Sequence, residues 1–167
     1  MAMPHHITVI GVGNEFRRDD GAGPSVVARL RERAVLGALP TGIRLVCCGG
    51  EPGRLIELWA GAALAVVVDA ALALPGHPGR IHRLEPCEYP IRYGGAASSH
   101  GLGLGSAVEL ARALDRTPGC LVVYAIEGAD GSPGTGLTPA VAASVGPLAE
   151  RIEKEITQYL ARAQGEA

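Results

Sequence analysis

The chain has 167 residues, 15 basic and 17 acidic side chains for a formal charge of −2, 47% hydrophobic and 19% charged residues. That length suits one domain, and the balance supplies a core and excludes a disordered chain. Phosphate-backbone binding releases counterions through clustered Lys and Arg, but no basic run here exceeds Arg17-Arg18 and Lys154 is the sole lysine, so no nucleic-acid partner is expected.

Residues 6–12 (His-Ile-Thr-Val-Ile-Gly-Val) form a β-branched run and are read as a buried strand. A loop over 13–23 follows, then a helix over 24–36 with Pro24 in its first turn and Gly37 just beyond its end. Residues 43–48 predict a second strand, stopped by Gly49-Gly50, and 54–60 a short helix with Leu55, Leu58 and Trp59 at core spacing. Residues 63–69 predict a third strand, apolar on both faces as in the centre of a parallel sheet. The longest low-polarity stretch, 58–74, contains Asp69, which would cost about 2.5–3.5 kcal/mol at a bilayer centre. It is also shorter than the ~20 residues that span a bilayer, so a helix end, a turn and a buried strand are expected and a membrane partner is not.

Residues 80–85 alternate apolar and polar and predict an edge strand with one wet face. Pro86, Pro90 and Gly94-Gly95 mark an irregular segment, before a helix over 103–114 with Leu104, Val108 and Ala111 on one face. Residues 120–126 predict another buried strand, and 138–162 a last helix with Thr138 as N-cap and Pro139 in the first turn. Alternating strands and helices point to a three-layer α/β/α sandwich around a mostly parallel sheet. Met1 to His6 lacks a charged segment followed by an apolar one, so no secretory signal is expected. Cys47, Cys48, Cys87 and Cys120 are read as buried, reduced thiols of a cytoplasmic protein, with Cys47 and Cys48 on opposite faces of a strand.

In open α/β sheets, sites lie beyond the carboxyl ends of the strands. Gly11-Val-Gly13 after the first strand invites the dinucleotide fingerprint, but the third glycine is replaced by Phe16. No Gly-Lys-Ser/Thr phosphate loop occurs, and adjacent Asp19 and Asp20 would repel a phosphate. Asp20 follows the first strand, Asp69 ends the third, His100 precedes a helix, and Glu127 closes the last strand, where it either lies near the site or caps the loop. Two carboxylates and an imidazole suit a borderline divalent ion such as Ni²⁺, Zn²⁺ or Mn²⁺ and leave coordination positions open. The plainer alternatives are Asp20 as a helix cap and His100 as an ordinary loop residue. Asp69 is harder to dismiss, because a buried lone acid is costly. No Gly-x-Ser-x-Gly elbow in a strand–turn–helix context and no HExxH helix is present, and His77 and His82 are read as surface residues.

The segment Gly11-Val-Gly-Asn-Glu-Phe-Arg-Arg-Asp-Asp-Gly-Ala-Gly23 resembles the signature of hydrogenase maturation endopeptidases, which trim the large-subunit precursor of nickel–iron hydrogenases. Gly49-Gly-Glu-Pro-Gly53, Val66-Val-Val-Asp-Ala70, Ser99-His-Gly-Leu-Gly103 and Gly136-Leu-Thr-Pro-Ala-Val141 agree in order, so the resemblance covers nearly the whole chain. It implies a single domain over residues 1–167 with a five-stranded sheet whose antiparallel edge strand is residues 80–85. It also implies a peptidase that removes a C-terminal extension after nickel insertion. The nickel is presented by the substrate and contacted by Asp20, Asp69 and His100, with zinc or cadmium able to substitute in a crystal. The implied partner is the large-subunit precursor, met by a monomer. Asp19 is a secondary candidate for a general base, its alternative being a solvated loop carboxylate; Asn14 is expected to fix the turn. Departures are Cys48-Gly-Gly-Glu51 where the family often has Asp-Gly-Gly-Thr, Gly101 where Gln is frequent, and Asp20 where some members have Glu. A different class of function also fits: a non-catalytic nickel-binding chaperone or scaffold for the same subunit.

Overall fold

In the computed structural model, which describes residues 6–73, 76–85, 96–97 and 101–165, the β-branched runs assemble into one sheet. Its strands are β1 (Ile7–Val12), β2 (Arg44–Cys48), β3 (Leu64–Ala73), β4 (Ile81–Leu84), β5 (Ala96–Ala97) and β6 (Cys120–Gly128). The helices are α1 (Ala22–Val35), α2 (Pro52–Trp59), α3 (Gly101–Ala113) and α4 (Pro139–Gly165). Strand order is β2-β1-β3-β6-β4; β1, β2, β3 and β6 are parallel, and β4 runs antiparallel along β6 at one edge. This is the expected five-stranded, mostly parallel sheet, with β5 added as a two-residue antiparallel partner of the far end of β3. The irregular segment expected after Pro86 lies largely outside the described residues, as does Cys87.

The two sheet faces bury separate cores because successive side chains on a strand point opposite ways. Val66 and Val68 of β3 join Val26 and Leu30 of α1 and Leu148 and Ile152 of α4. Ala65 and Val67 join Leu55 and Trp59 of α2 and Leu104 and Val108 of α3. Each fully buried aliphatic or aromatic side chain contributes roughly 1.5–3 kcal/mol, so both helix layers are held by apolar burial. The layering α1/α4, sheet, α2/α3 is the three-layer sandwich expected from the sequence.

Several boundaries move, each for a tertiary reason. β3 continues past Asp69 to Ala73 because β6 runs beside it, pairing Asp69 with Ala125 and Leu72 with Gly128. α1 starts at Ala22, since a 3-10 turn over Arg18–Gly21 feeds straight into it. On edge strand β4 Arg83 is exposed and the polar side chains are paired: His82 reaches Glu127 of β6, and the Arg83 guanidinium makes two 2.8 Å bonds to the Glu155 carboxylate of α4. The cysteines correct another expectation. Cys47 is exposed and Cys48 half-buried because β2 is a sheet edge rather than an interior strand, and Cys120, at the start of β6, is half-buried; none of the three is in a disulfide. No described helix is long and apolar enough to cross a membrane, and residues 58–74 divide between the end of α2 and β3.

α1 begins directly over the seam between β1 and β3, and Gly23 makes that approach possible. A Cβ at this residue would lie 2.5 Å from both the Val12 and Val68 carbonyl oxygens. Gly23→Ala is therefore expected to cost about 2–4 kcal/mol by forcing α1 off the sheet, and a urea unfolding midpoint equal to wild type would refute this.

Candidate active site

The chain passes from β1 outward to β2 and then returns to β3 on the other side, so the order reverses between β1 and β3. In doubly wound sheets a crevice opens at such a reversal, beyond the carboxyl ends of the strands. The last ladder pair there is Gly11 with Val68, which makes Asp69 the first β3 residue past the ladder. Asp69 thus lies inside β3 rather than at its end, yet at the level where β1 stops. It is 1% exposed and shares the α2/α3 face with Ala65 and Val67, and its Oδ1 accepts the Ala70 N–H at 2.8 Å.

The loop after β1 folds back over the same rim. Gly13 has φ +141°, and a Cβ there would fall on the Asp20 carbonyl oxygen, so glycine is required for the turn to close. Asn14 fixes the turn as expected: its side-chain oxygen accepts the Phe16 N–H at 2.9 Å, and its carbonyl accepts the Arg17 N–H at 3.0 Å. The Asn14 N–H in turn donates to Asp20 Oδ2 at 2.9 Å. Half-buried Asp20 lines a narrow cleft together with Ala70, Ala71 and Gly128, at the carboxyl ends of β3 and β6. The residue next to Asp69 and Asp20 itself therefore share one cleft.

His100 lies outside the described residues. The helix that follows it is placed: a Cβ on Gly103 of α3 would be 2.8 Å from the Gly50 carbonyl oxygen, so the first turn of α3 sits on the Gly49-Gly50 turn after β2. Among the described residues, no group of three His, Cys, Asp or Glu side chains is arranged to hold a metal ion. Asp20 and Asp69 offer carboxylate oxygens, a donor type that borderline divalent ions accept, but two carboxylates are too few to complete a coordination sphere.

Asp19 overturns the expectation of a solvated loop carboxylate. It is 1% exposed, and both oxygens are engaged. Oδ2 accepts the N–H groups of Ala129 at 2.8 Å and Asp130 at 3.0 Å, and Oδ1 accepts that of Thr138 at 2.7 Å. The Thr138 hydroxyl also donates to this carboxylate, at 2.8 Å to the nearer oxygen. The expected helix-capping residue thus spends its hydroxyl proton on Asp19. Burial pushes the carboxyl up, but the Thr138 and Ala129 N–H groups, the Thr138 hydroxyl and the Asp130 N–H outweigh it and hold Asp19 below its ordinary value. Backbone bonds from Arg18 N–H to the Gly134 carbonyl and from Gly134 N–H to the Phe16 carbonyl lace the same two loops together.

A second buried acid was only half legible. Glu127, 6% exposed, takes His82 Nε2 at 2.8 Å on one oxygen and the His77 N–H at 2.6 Å on the other. Burial raises its carboxyl, and the His82 and His77 bonds outweigh that and hold it below the ordinary value. His82 is accordingly no plain surface residue, whereas His77 is exposed. Since β6 pairs Ala125 with both Asp69 and His82, Glu127 lies on the same sheet face as both. The parity of β4, which places His82 with core-facing Leu84, was the available signal.

A family model described as hydrogenase maturation protease matches residues 24–155, a span that includes Asp69 and begins just after Asp20. The hydrogenase 2 maturation protease of Escherichia coli (strain K12) is 27% identical over 146 residues, covering 87% of each chain. A [NiFe] hydrogenase maturation protease, HybD, from Thermococcus kodakarensis superimposes with a TM-score of 0.73 at 25% identity, covering 90% of this chain and 99% of that one. An endopeptidase from Escherichia coli solved in solution gives 0.75 at 26% identity, over 88% and 89% of the two chains. The family match runs from α1 into α4, through the strand that carries the buried acid at the order reversal; the chain belongs to the hydrogenase maturation protease family and is a peptidase acting in hydrogenase maturation.

Proposed function

We propose that this chain removes the C-terminal extension of a nickel–iron hydrogenase large-subunit precursor once nickel has been inserted. The observation that carries this reading is the meeting of the Asp20 turn and the Asp69 strand at one crevice of a maturation-protease fold. Nickel here belongs to the substrate. Asp20, Asp69 and His100 complete its coordination when the precursor docks, and a pair of carboxylates with few companions suits an ion that arrives with most of its ligands. Docking on the ion fixes the scissile bond beside the loop after β1, an orientation effect able to lower a barrier by several kcal/mol. Asp19 holds that loop and is not the base, because a carboxylate below its ordinary value with both oxygens engaged accepts a proton poorly. The free thiols fit action in the reducing cytoplasm.

The test is to incubate the protein with nickel-loaded and nickel-free precursor and weigh the large subunit. A mass loss equal to a C-terminal peptide, seen only with nickel, is expected. Tight binding without mass loss would favour the scaffold reading, and cutting of the nickel-free precursor would remove the metal from recognition.

A further inference from the structure

On the α1 side of the sheet, the loop after β1, the outer face of α1 and the end of β2 enclose an open groove of about 660 Å³. Phe16, the chain's only phenylalanine, stands at its rim and is 63% exposed. The loop cannot turn it inward cheaply, since the Phe16 N–H is held by Asn14 and its carbonyl by the Gly134 N–H. A large apolar side chain held at the rim of a groove on a laced loop offers a fixed contact to whatever enters that groove.

The groove floor indicates what kind of partner. β2 is an edge strand, and the bond from Gly13 N–H to the Cys48 carbonyl shows which of its residues turn toward β1. By alternation, Leu45 and Cys47 turn their backbone groups outward. The Leu45 carbonyl is taken by Arg31 Nη2 at 3.2 Å, while Cys47, nearer the carboxyl end of the sheet, lines the groove itself. Outward backbone groups on an edge strand pair with an extended segment. Pro24 and Ala28 of α1 supply a smooth apolar wall. The groove adjoins the candidate active site across one loop: Asn14 lines the groove, and its N–H donates to Asp20, which lines the cleft.

We propose that this groove binds an extended stretch of the hydrogenase precursor's C-terminal segment beside the bond to be cut, with an apolar side chain of that segment seated on Phe16. This rests on the processing role above. An aromatic rim over a strand edge selects an extended chain with an apolar residue at one register position, so the groove sets sequence preference while the crevice sets the cut.

Steady-state processing of nickel-loaded precursor tests it. Phe16→Ala is expected to raise KM about tenfold with kcat within about twofold, the signature of lost uniform binding, and Phe16→Leu to restore most of the loss. Ala28→Arg, at an exposed helix position, fills the groove and is expected to raise KM similarly. Both sites are exposed, so melting temperatures stay at the wild-type value. Unchanged KM in Phe16→Ala and Ala28→Arg, with wild type cutting normally, overturns the groove alone. A wild-type protein that leaves nickel-loaded precursor intact overturns the processing role, and the groove proposal with it.

Discussion

Asp69→Asn is expected to reduce precursor processing by at least about a hundredfold, the scale on which loss of one orienting contact acts. The substitution keeps size and leaves a carbonyl oxygen for the Ala70 N–H, so the β3 backbone stays in place. What it removes is one negative charge at the first β3 residue beyond the β1 ladder, where the substrate's cation is proposed to dock. Asp20→Asn is expected to act the same way and to keep its acceptor for the Asn14 N–H. His100→Ala should match them if all three residues contact the ion. Mass spectrometry of the large subunit, with circular dichroism melts as the folding control, gives the answer. Full activity in any one variant removes that residue from the site.

The second large effect concerns stability. Asp19→Ala leaves the N–H groups of Ala129, Asp130 and Thr138 without their acceptor and opens the contact between the loop after β1 and the entry to α4. Buried donors left unpaired cost about 1–3 kcal/mol each, and allowing for partial rehydration the variant should lose about 3–5 kcal/mol. For a chain of this size that lowers the melting temperature by roughly 10 °C. The pH dependence follows from the sign of the shift. A carboxyl held below its unfolded value of about 4 contributes stability that is present above that pH and is lost as pH falls through the folded value. Glu127 acts in the same direction. Wild-type unfolding midpoints should therefore fall on acidification below about pH 4, and Asp19→Ala should flatten part of that slope. A midpoint unchanged at neutral pH would show that the carboxylate is not the staple its bonds indicate. Processing should also weaken in this variant, because the same loop carries Asp20 and Phe16.

Much of this was legible in the sequence because it follows from periodicity and from position along strands. The two-faced apolar runs at 63–69 and 120–126 announce central parallel strands, and the alternation at 80–85 announces an edge. Once strands and helices alternate, acids that follow strands gather at one rim, which singled out Asp20; Asp69, read as the end of its strand, instead lies inside β3 at the level where β1 stops. Glycines and Asn14 after the first strand likewise signal a tight turn, as found.

Other features depend on partners far away in the chain and have no local signature. Whether Asp19 is solvated or buried is decided by backbone N–H groups at 129, 130 and 138, donors that every peptide carries and no residue type reveals. β3 runs on past Asp69 because β6 offers a ladder beside it. The cysteines of β2 reach solvent because strand order puts β2 at an edge, and Phe16 stands in water because the loop it rides on is bonded at both sides. The sequence by itself determined the layers and the carboxylates at the rim, since these follow from repeating patterns along one segment. Only tertiary structure decided which acid is a staple, how far each strand runs and where an apolar anchor is left exposed, since each depends on backbone groups contributed by another segment.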